Sequence, residues 1–416
     1  MMSKKKKKIL VLAESIDVDD SSGSKANVAL IQNLHKAGFE VIVYHYTRKK
    51  IQLEGIKCVA IKENRKSFLF LLSRLERRVR KKTNLNLNSY FERCFGFSLT
   101  YFNDSNSIAR GLRKIKEGEP DLVLTLSKGA SFRPHHAMLD LPGWHDRWIA
   151  YIHDPYPMHS YPRPYDWVEP GYQQKRKFFL QVAEKAKYAA YPSQLLAEWM
   201  ESYYLLLKGK AVIIPHQISD SEVSETELPE FFKKDAFTIV HAGALMGARN
   251  PMALVRAFEK FLCKFPVARN HSQLIFLGGK SRYTEDFQRI KKEVPQIYSS
   301  ETYLPFKIVL GIQKNASVNV ILEAKGSISP FLPGKFPHCV QARKPILLLG
   351  PYYSESRRLL GEGYPWWGEI DDDERMVNLI GKLYKKWTIG DYYMHRRDLE
   401  EYLSEKNFLK TIEALT

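Results

Sequence analysis

The stretch "KILVLAESIDVDDSSGSKANVALIQNLHKAGFEVIVYHY", Lys8–Tyr46, decides the fold. Its opening "KILVLA" is a continuous apolar run, as expected of a strand covered on both faces. "KANVALIQNLHKAG" (Lys25–Gly38) then spaces its apolar residues as a helix does and ends in glycine, the residue that best tolerates left-handed backbone past a helix end. "FEVIVYHY" (Phe39–Tyr46) is a second strand. Strand, helix and strand in direct succession form a βαβ unit, which implies a parallel sheet.

The alternation continues along the chain. Strands are expected at "DLVLTLS" (Asp121–Ser127), "RWIAYIH" (Arg147–His153), "YAAYPS" (Tyr188–Ser193) and "AVIIPH" (Ala211–His216). A polar, acidic stretch, "ISDSEVSETELPEFFKKD" (Ile218–Asp235), reads as a linker. Beyond it come "AFTIVHAG" (Ala236–Gly243), "SQLIFLGG" (Ser272–Gly279), "FKIVLG" (Phe306–Gly311), "VNVILEA" (Val318–Ala324) and "KPILLLG" (Lys344–Gly350), expected as a second set of strands. A chain of 416 residues exceeds what one core supports. The expectation is therefore an α/β protein of two tandem doubly wound, Rossmann-like domains, residues 1–217 and 236–391. A linker, 218–235, joins them, and a charged helical tail, 392–416, is free to pack back on the first domain.

Composition narrows the class. Hydrophobic residues make up 44% of the chain and aromatic residues 12%, which is globular, and runs such as "FLFLL" (Phe68–Leu72) fall far short of the ~20 residues that span a bilayer. The apolar segment after the first lysines is too short for a signal-peptide core, so a cytoplasmic location is expected. Cys58, Cys94, Cys263 and Cys339 are widely spaced, without a C-x-x-C pair, and suggest neither a zinc site nor a disulfide framework.

The formal charge of +18, from 64 Lys and Arg against 46 Asp and Glu, calls for an anionic partner. Residues 62–82, "KENRKSFLFLLSRLERRVRKK", hold nine basic residues against two acidic ones. Phe68, Leu71, Leu72, Leu75 and Val79 are spaced to share one helix face. That face either packs on its own domain or meets an anionic membrane from the side. No RNA- or DNA-binding motif accompanies the charge, so no specific nucleic-acid partner is expected.

In open parallel sheets, ligands bind outside the carboxyl ends of the strands, so the loops there are the ones to inspect. No G-x-G-x-x-G follows the first strand and no Walker A sequence is present, which argues against dinucleotide and P-loop chemistry. In "HAGALMGARNPMALVRAFEKF" (His241–Phe261), Gly243 and Gly247 lead to Arg249 and Asn250 just before a helix, an arrangement suited to phosphate. Asn250 serves equally as a plain helix cap ahead of Pro251. In "SISPFLPGKFPHCVQARKPILLLG" (Ser327–Gly350), Pro330 and Pro333 stiffen a loop, Gly334 permits close approach, and Lys335 stands where a short helix begins. Lys335 is then either a second anion contact or a solvated loop lysine.

These two loops, in this order within a second doubly wound domain, resemble the donor half of GT-B glycosyltransferases, above all family 4. In that family the loop after the second domain's first strand carries an arginine and, five residues later, a lysine that hold the donor diphosphate. Here Arg249 aligns with the lysine and Ala244 with the arginine. The family's paired glutamates, eight residues apart, precede an "A-x-x-G-K-P" that "VQARKPILLL" matches with Arg343 for the glycine. Pro330 and His338 fall on the glutamates, or Ser329 on the first, so both acids are absent. "SSGSKANVALIQNLHKAGFEVIVY" resembles the family's acceptor-side loop, helix and strand, and "AEKAKYAAYPSQLLAEWMESYY" with "AVIIPHQIS" resembles the end of its first domain.

The resemblance implies a GT-B arrangement with an interdomain cleft and a retaining chemistry carried over from the family: transfer of a sugar from a nucleotide-diphosphate-sugar to a glycan or lipid-linked acceptor, in cell-envelope or surface polysaccharide synthesis, without a metal or other cofactor. Gly243, Gly247, Arg249, Asn250, Gly334 and Lys335 would hold the donor diphosphate, and Ser329 and His338 the sugar or ribose. Ser22, Gly23 and Ser24 would lie on the acceptor side. In "YIHDPYPMHSYPRPYDW" (Tyr151–Trp167), His153 and Asp154 are the catalytic candidates, and Tyr156, Tyr161 and Trp167 would stack on sugar. His159 completes a metal-ligand trio with His153 and Asp154 only in a reading the GT-B likeness disfavours. The absent glutamates leave a second reading, a GT-B-shaped nucleotide-sugar-binding protein without turnover.

Overall fold

The computed structural model describes residues 6–115, 119–218 and 228–415. They form two compact units. The first gathers the chain up to Tyr161, Asp166–Gln217 and the segment from Glu405 onward, and the second gathers Pro162–Tyr165 and Ile218–Ser404.

In the first unit seven strands form one sheet: β1 (Lys8–Ala13), β2 (Glu40–His45), β3 (Lys57–Ala60), β4 (Leu122–Leu126), β5 (Trp148–Tyr151), β6 (Tyr188–Tyr191) and β7 (Ala211–Ile213). Their order is β3-β2-β1-β4-β5-β6-β7 and each pairing is parallel. Successive side chains leave opposite faces of a strand. Leu10 and Leu12 accordingly enter one core cluster and Ile9, Val11 and Ala13 another. Two buried faces require a run without polar interruption, and that is why β1 was legible.

The helix after β1 spans Ser22–Lys36 and starts earlier than its apolar pattern suggests, because the Ser21 hydroxyl accepts a bond from the Ser24 amide at 3.1 Å. Near its other end, Gly38 takes a φ of +93°. The last helix, Glu405–Glu413, belongs to this unit and places Phe408 and Ile412 among Val28, Ile31 and Val212.

The second unit holds β8 (Phe237–Ala242), β9 (Ser272–Leu277), β10 (Ile297–Ser299), β11 (Val318–Leu322), β13 (Ile346–Leu349) and β15 (Trp367–Gly368) in a parallel sheet of order β10-β9-β8-β11-β13-β15. A separate pair joins β12 (Ile328–Ser329) to β14 (Tyr353–Ser354). Phe237 and Ile239 pack on one face of the sheet, Val240 and Ala242 on the other. The strand order reverses direction between β8 and β11, which makes their carboxyl ends the natural ligand site of this unit.

The expected strand "FKIVLG" is instead a helix, Phe306–Asn315. Only a few residues separate Gly311 from β11, whereas a parallel crossover takes about a dozen. Pro305 at the helix start fits the same outcome. The tail expected over 392–416 is divided, since the helix Arg397–Tyr402 packs Leu399 against the second unit's core. Residues 219–227 of the expected linker lie outside the described residues.

The basic helix spans Phe68–Thr83, capped by Ser67, and its orientation overturns packing of the apolar stripe on its own domain. Ser73 and Glu76 are the buried residues, whereas Phe68 is 73% exposed and Leu71 and Leu75 stand in solvent. No helix among the described residues is long and apolar enough to cross a membrane.

Candidate functional site

At the carboxyl end of β8 the chain runs through His241, which is fully buried, to Gly243 at a φ of +150°. A Cβ on Gly243 would stand 2.8 Å from Lys335 Nζ and 3.1 Å from its Cε, so the glycine makes room for the lysine. Across the sheet, a Cβ on Gly278 would lie 2.4 Å from the Gly243 carbonyl oxygen. The loop then turns through Gly247 (φ +56°), and the Arg249 amide donates to the Met246 carbonyl at 3.2 Å. Asn250 accepts a bond from the Met252 amide at 2.9 Å and starts the helix Met252–Lys264. That turn bond accounts for Asn250, while the N-cap position itself falls on Pro251, and Arg249 is left over as the residue that local structure does not explain.

Lys335 immediately precedes the six-residue helix Phe336–Gln341. Its Nζ lies 3.2 Å from Nε2 and 3.3 Å from Nδ1 of His241, a shared contact with the ring instead of one directed bond. Burial, and then repulsion from Arg249, draw the Lys335 ammonium down to about 7. His241 is held well below the ordinary histidine range by burial, then by the charges of Lys335 and Arg249, and so is neutral. Among the described residues, neither Lys335 nor Arg249 forms an ion pair with a carboxylate. Two cations held together repel each other, an effect offset in part by the Coulombic pull of Glu323 on Arg249, and a bound anion removes that cost.

Glu323 follows β11 on the other side of the reversal point. It is 4% exposed, and the Ser356 hydroxyl donates to its Oε1 at 2.8 Å. Burial raises the carboxyl to about 7, with Ser356, Ser354, Arg249 and Ser329 acting the other way. A Cβ on Gly350 would come within 2.6 Å of Glu323 Oε2, so glycine there admits the carboxylate. Ser329 reaches this cluster because β12 pairs it with Ser354. The sequence analysis assigns Glu323 no role. The signal was a strand ending in glutamate beside a neighbouring strand ending in glycine.

Other expected site residues fare differently. An added Cβ at Gly334 meets nothing, so within the protein itself no close approach demands that glycine. Pro330 is buried, and the His338 ring packs edge-on against Phe306, with centroids 5.2 Å apart. In the first unit, Ser22, Gly23 and Ser24 form the first helical turn instead of an open loop, with Ser24 fully buried. His153 is buried and joins Asn27 Oδ1 at 3.0 Å, while Asn27 donates to the Ser127 carbonyl. The ring therefore donates through Nε2, and burial together with His216 and His135 keeps it neutral.

Asp154 is half-buried beside it. Tyr156 is 1% exposed and packed among Phe132, Phe178 and Phe179, which corrects its reading as an acceptor-stacking ring. Tyr161 and Trp167 are half-buried and meet at 4.7 Å. Between them Pro162–Tyr165 joins the second unit, where a Cβ on Gly326 would press on the Arg163 carbonyl and Tyr165 meets Phe331 at 6.0 Å.

No family model and no curated protein sequence matches the chain. Solved structures do. The E. coli trehalose-6-phosphate structure bound with UDP-2-fluoro glucose matches over 98% of both chains with a TM-score of 0.60 at 12% identity. An alpha,alpha-trehalose-phosphate synthase (UDP-forming) from Burkholderia xenovorans, in complex with glucose-6-phosphate, matches over 98% of this chain and 99% of its own, at TM-score 0.61 and 10% identity. The Candida albicans trehalose-6-phosphate phosphatase N-terminal domain gives a TM-score of 0.57 at 13% identity, over 99% of this chain and 98% of its own. At these identities the likeness is one of fold, and it does not single out family 4. The chain has the fold of GT-B proteins, with parallel sheets in two Rossmann-like α/β domains.

Proposed function

We propose that the protein is a glycosyltransferase that moves a sugar from a nucleotide-diphosphate-sugar to a glycan or lipid-linked acceptor in cell-envelope or surface polysaccharide synthesis. The carrying observation is the pair Arg249 and Lys335, two cations without an ion-paired carboxylate among the described residues, at the strand-order reversal of the second unit. Similar folds that hold UDP-2-fluoro glucose or are described as UDP-forming support the same reading.

Breaking a sugar–phosphate bond puts negative charge on the departing diphosphate, and fixed cations aimed at it lower the barrier. In this reading Arg249 and Lys335 carry out that task without a cofactor. An arriving anion would raise Lys335 back toward its ordinary range, so binding draws in a proton above neutral pH. Ser329, His338 and Glu323 would hold sugar or ribose hydroxyls in place of the family's glutamates. From the first unit, His153, its Nε2–H taken by Asn27, would accept from a hydroxyl through Nδ1, and Asp154 would accept from one as well. Retention of anomeric configuration, a cytoplasmic location and side-on contact of residues 62–82 with an anionic membrane complete the proposal.

Transfer and donor-hydrolysis assays over a panel of nucleotide sugars test it. Turnover that collapses in Arg249→Ala and Lys335→Ala is expected. Absence of both turnover and nucleotide binding, with the two variants behaving as wild type, sinks the reading. Pro330 and His338 in the glutamate positions favour the second reading, a binding protein, and nucleotide-induced stabilisation without transfer would select it.

A further inference from the structure

Ser73, Glu76, Arg77 and Arg80 follow one another at three- and four-residue steps along the helix Phe68–Thr83, so they share one stripe, on which Ser73 and Glu76 are buried. Arg77 and Arg80 therefore turn toward the first unit, away from the exposed Phe68, Leu71 and Leu75. There they meet a cavity of about 560 Å³, within the size range of ligand pockets, whose wall also holds Asn86, Glu92, Thr100 and Arg133.

The cavity reaches the strand-order reversal of the first sheet, which falls between β1 and β4. Glu14 directly follows β1 and accepts from the Lys128 amide, just past β4, at 3.2 Å. Arg133 holds that same carboxylate at 2.8 Å, and Asp104 at 3.1 Å, while lining the cavity. Ligands of open parallel sheets bind at such a reversal. A void and a topological feature, two independent observations, thus coincide.

The wall offers donors and acceptors together. The charge of Arg133 is answered by its two carboxylates, whereas Arg77 reaches the Thr100 hydroxyl only at 3.4 Å and Arg80 meets Glu76 no closer than 3.9 Å. Arg77 and Arg80 are thus two weakly engaged guanidinium groups facing Glu92, the one acid in the wall. Asn86 and Ser98, also in the wall, use their side-chain oxygens to cap helices by accepting from the Ser89 and Tyr101 amides. That leaves an amide nitrogen and a hydroxyl hydrogen to donate elsewhere. Polar side chains of both kinds suit a hydroxyl-rich molecule, and the paired guanidinium groups suit an acidic group on it.

We propose that this cavity binds a saccharide that carries an acidic group, a phosphate ester or a carboxylate, with the acid at Arg77 and Arg80 and hydroxyls at Asn86, Glu92 and Ser98. That this saccharide is the acceptor rests on the glycosyl-transfer reading; the binding itself does not.

Titration calorimetry of the full chain with glucose 6-phosphate, glucuronate, glucose and inorganic phosphate, without nucleotide, tests it. At least one of the acidic sugars should bind roughly tenfold or more tightly than both glucose and inorganic phosphate, and the one that does so tells ester from carboxylate. Arg77→Gln with Arg80→Gln should remove that preference. Lys292→Gln with Lys314→Gln takes the same charge from exposed positions of the second unit and should leave it unchanged. Acidic sugars that bind no better than glucose, inorganic phosphate that binds as tightly as they do, or a preference that survives the arginine changes overturns the inference. Unaltered unfolding midpoints for both double variants separate loss of binding from loss of fold. Sugar transfer without acidic-sugar binding strikes this inference alone, and acidic-sugar binding without transfer strikes the transfer reading alone.

Discussion

Two loops leave the carboxyl ends of central strands, one after β5 in the first unit and one after β8 in the second, and they use their conspicuous residues in opposite ways. After β5, Tyr156 becomes core and His153 is tied to Asn27. After β8, Gly243 clears space for Lys335, and among the described residues Arg249 and Lys335 remain without an ion-paired carboxylate. An aromatic ring gains from burial anywhere, so its place in a loop says little about ligands. A charge pays for burial, so a pair of like charges kept half-buried points to an anion brought from outside.

The largest expected effect tests the charged loop. Arg249→Ala and Lys335→Ala should each lower turnover of a competent nucleotide sugar by about 10²- to 10³-fold, measured as kcat/KM, with the unfolding midpoint little changed. Equal rates would break the comparison on the second unit's side. On the first unit's side, Tyr156→Ala should cost ~3–5 kcal/mol in denaturant unfolding, as for other buried aromatics, whereas Tyr161→Ala costs less than about 1 kcal/mol. If the two substitutions are equally mild, Tyr156 is not the core residue its packing implies.

The pH dependence sharpens the contrast. Lys335 sits near 7 in the folded protein and at the ordinary 10.5 when unfolded. The cost of holding its ammonium is fully present below pH 7 and is relieved as the pH rises toward 10.5. Lys335→Met should therefore be more stable than the wild type at pH 6, by on the order of 1 kcal/mol after allowance for solvent, with the gap closing above pH 7. Nucleoside diphosphate affinity of the wild type should fall over the same rise, and calorimetry in two buffers should register proton uptake. A flat profile counts against an anion seated on Lys335.

The glycines give the smallest effects. Gly243→Ala pushes on Lys335 and should weaken nucleotide binding about tenfold. Gly334→Ala meets open space and should leave stability within about 0.5 kcal/mol, so any loss confined to nucleotide binding would mark close approach by the ligand itself.

Most of both sheets was legible because parallel strands covered on two faces must be continuously apolar, as "KILVLA" and "KPILLLG" are. "FKIVLG" has the same composition, and only its spacing from β11 distinguishes a helix from a strand. The short strands β3 and β10 carry little apolar signal at four and three residues, and passed unnoticed. Within the candidate site, Arg249 and Lys335 stood out as charges that local structure did not need. The place of Glu323 depends on Gly350 and on the β12–β14 pairing, contacts between segments that no local pattern announces. Tyr156 was misjudged because the partners that bury it, Phe132, Phe178 and Phe179, come from elsewhere in the chain.

The return of Phe408 and Ile412 to the first unit bears on how the protein is made. Synthesis at about 5–20 residues per second leaves the first unit waiting on the order of ten seconds or more after Gln217 emerges before its last helix arrives. During that interval Ile31 and Val212 lack neighbours, and a nascent chain in that state is a natural client for chaperones. Truncation ahead of Glu405 would make the interval permanent, so a short helix made after the second unit decides whether the first unit's core is finished.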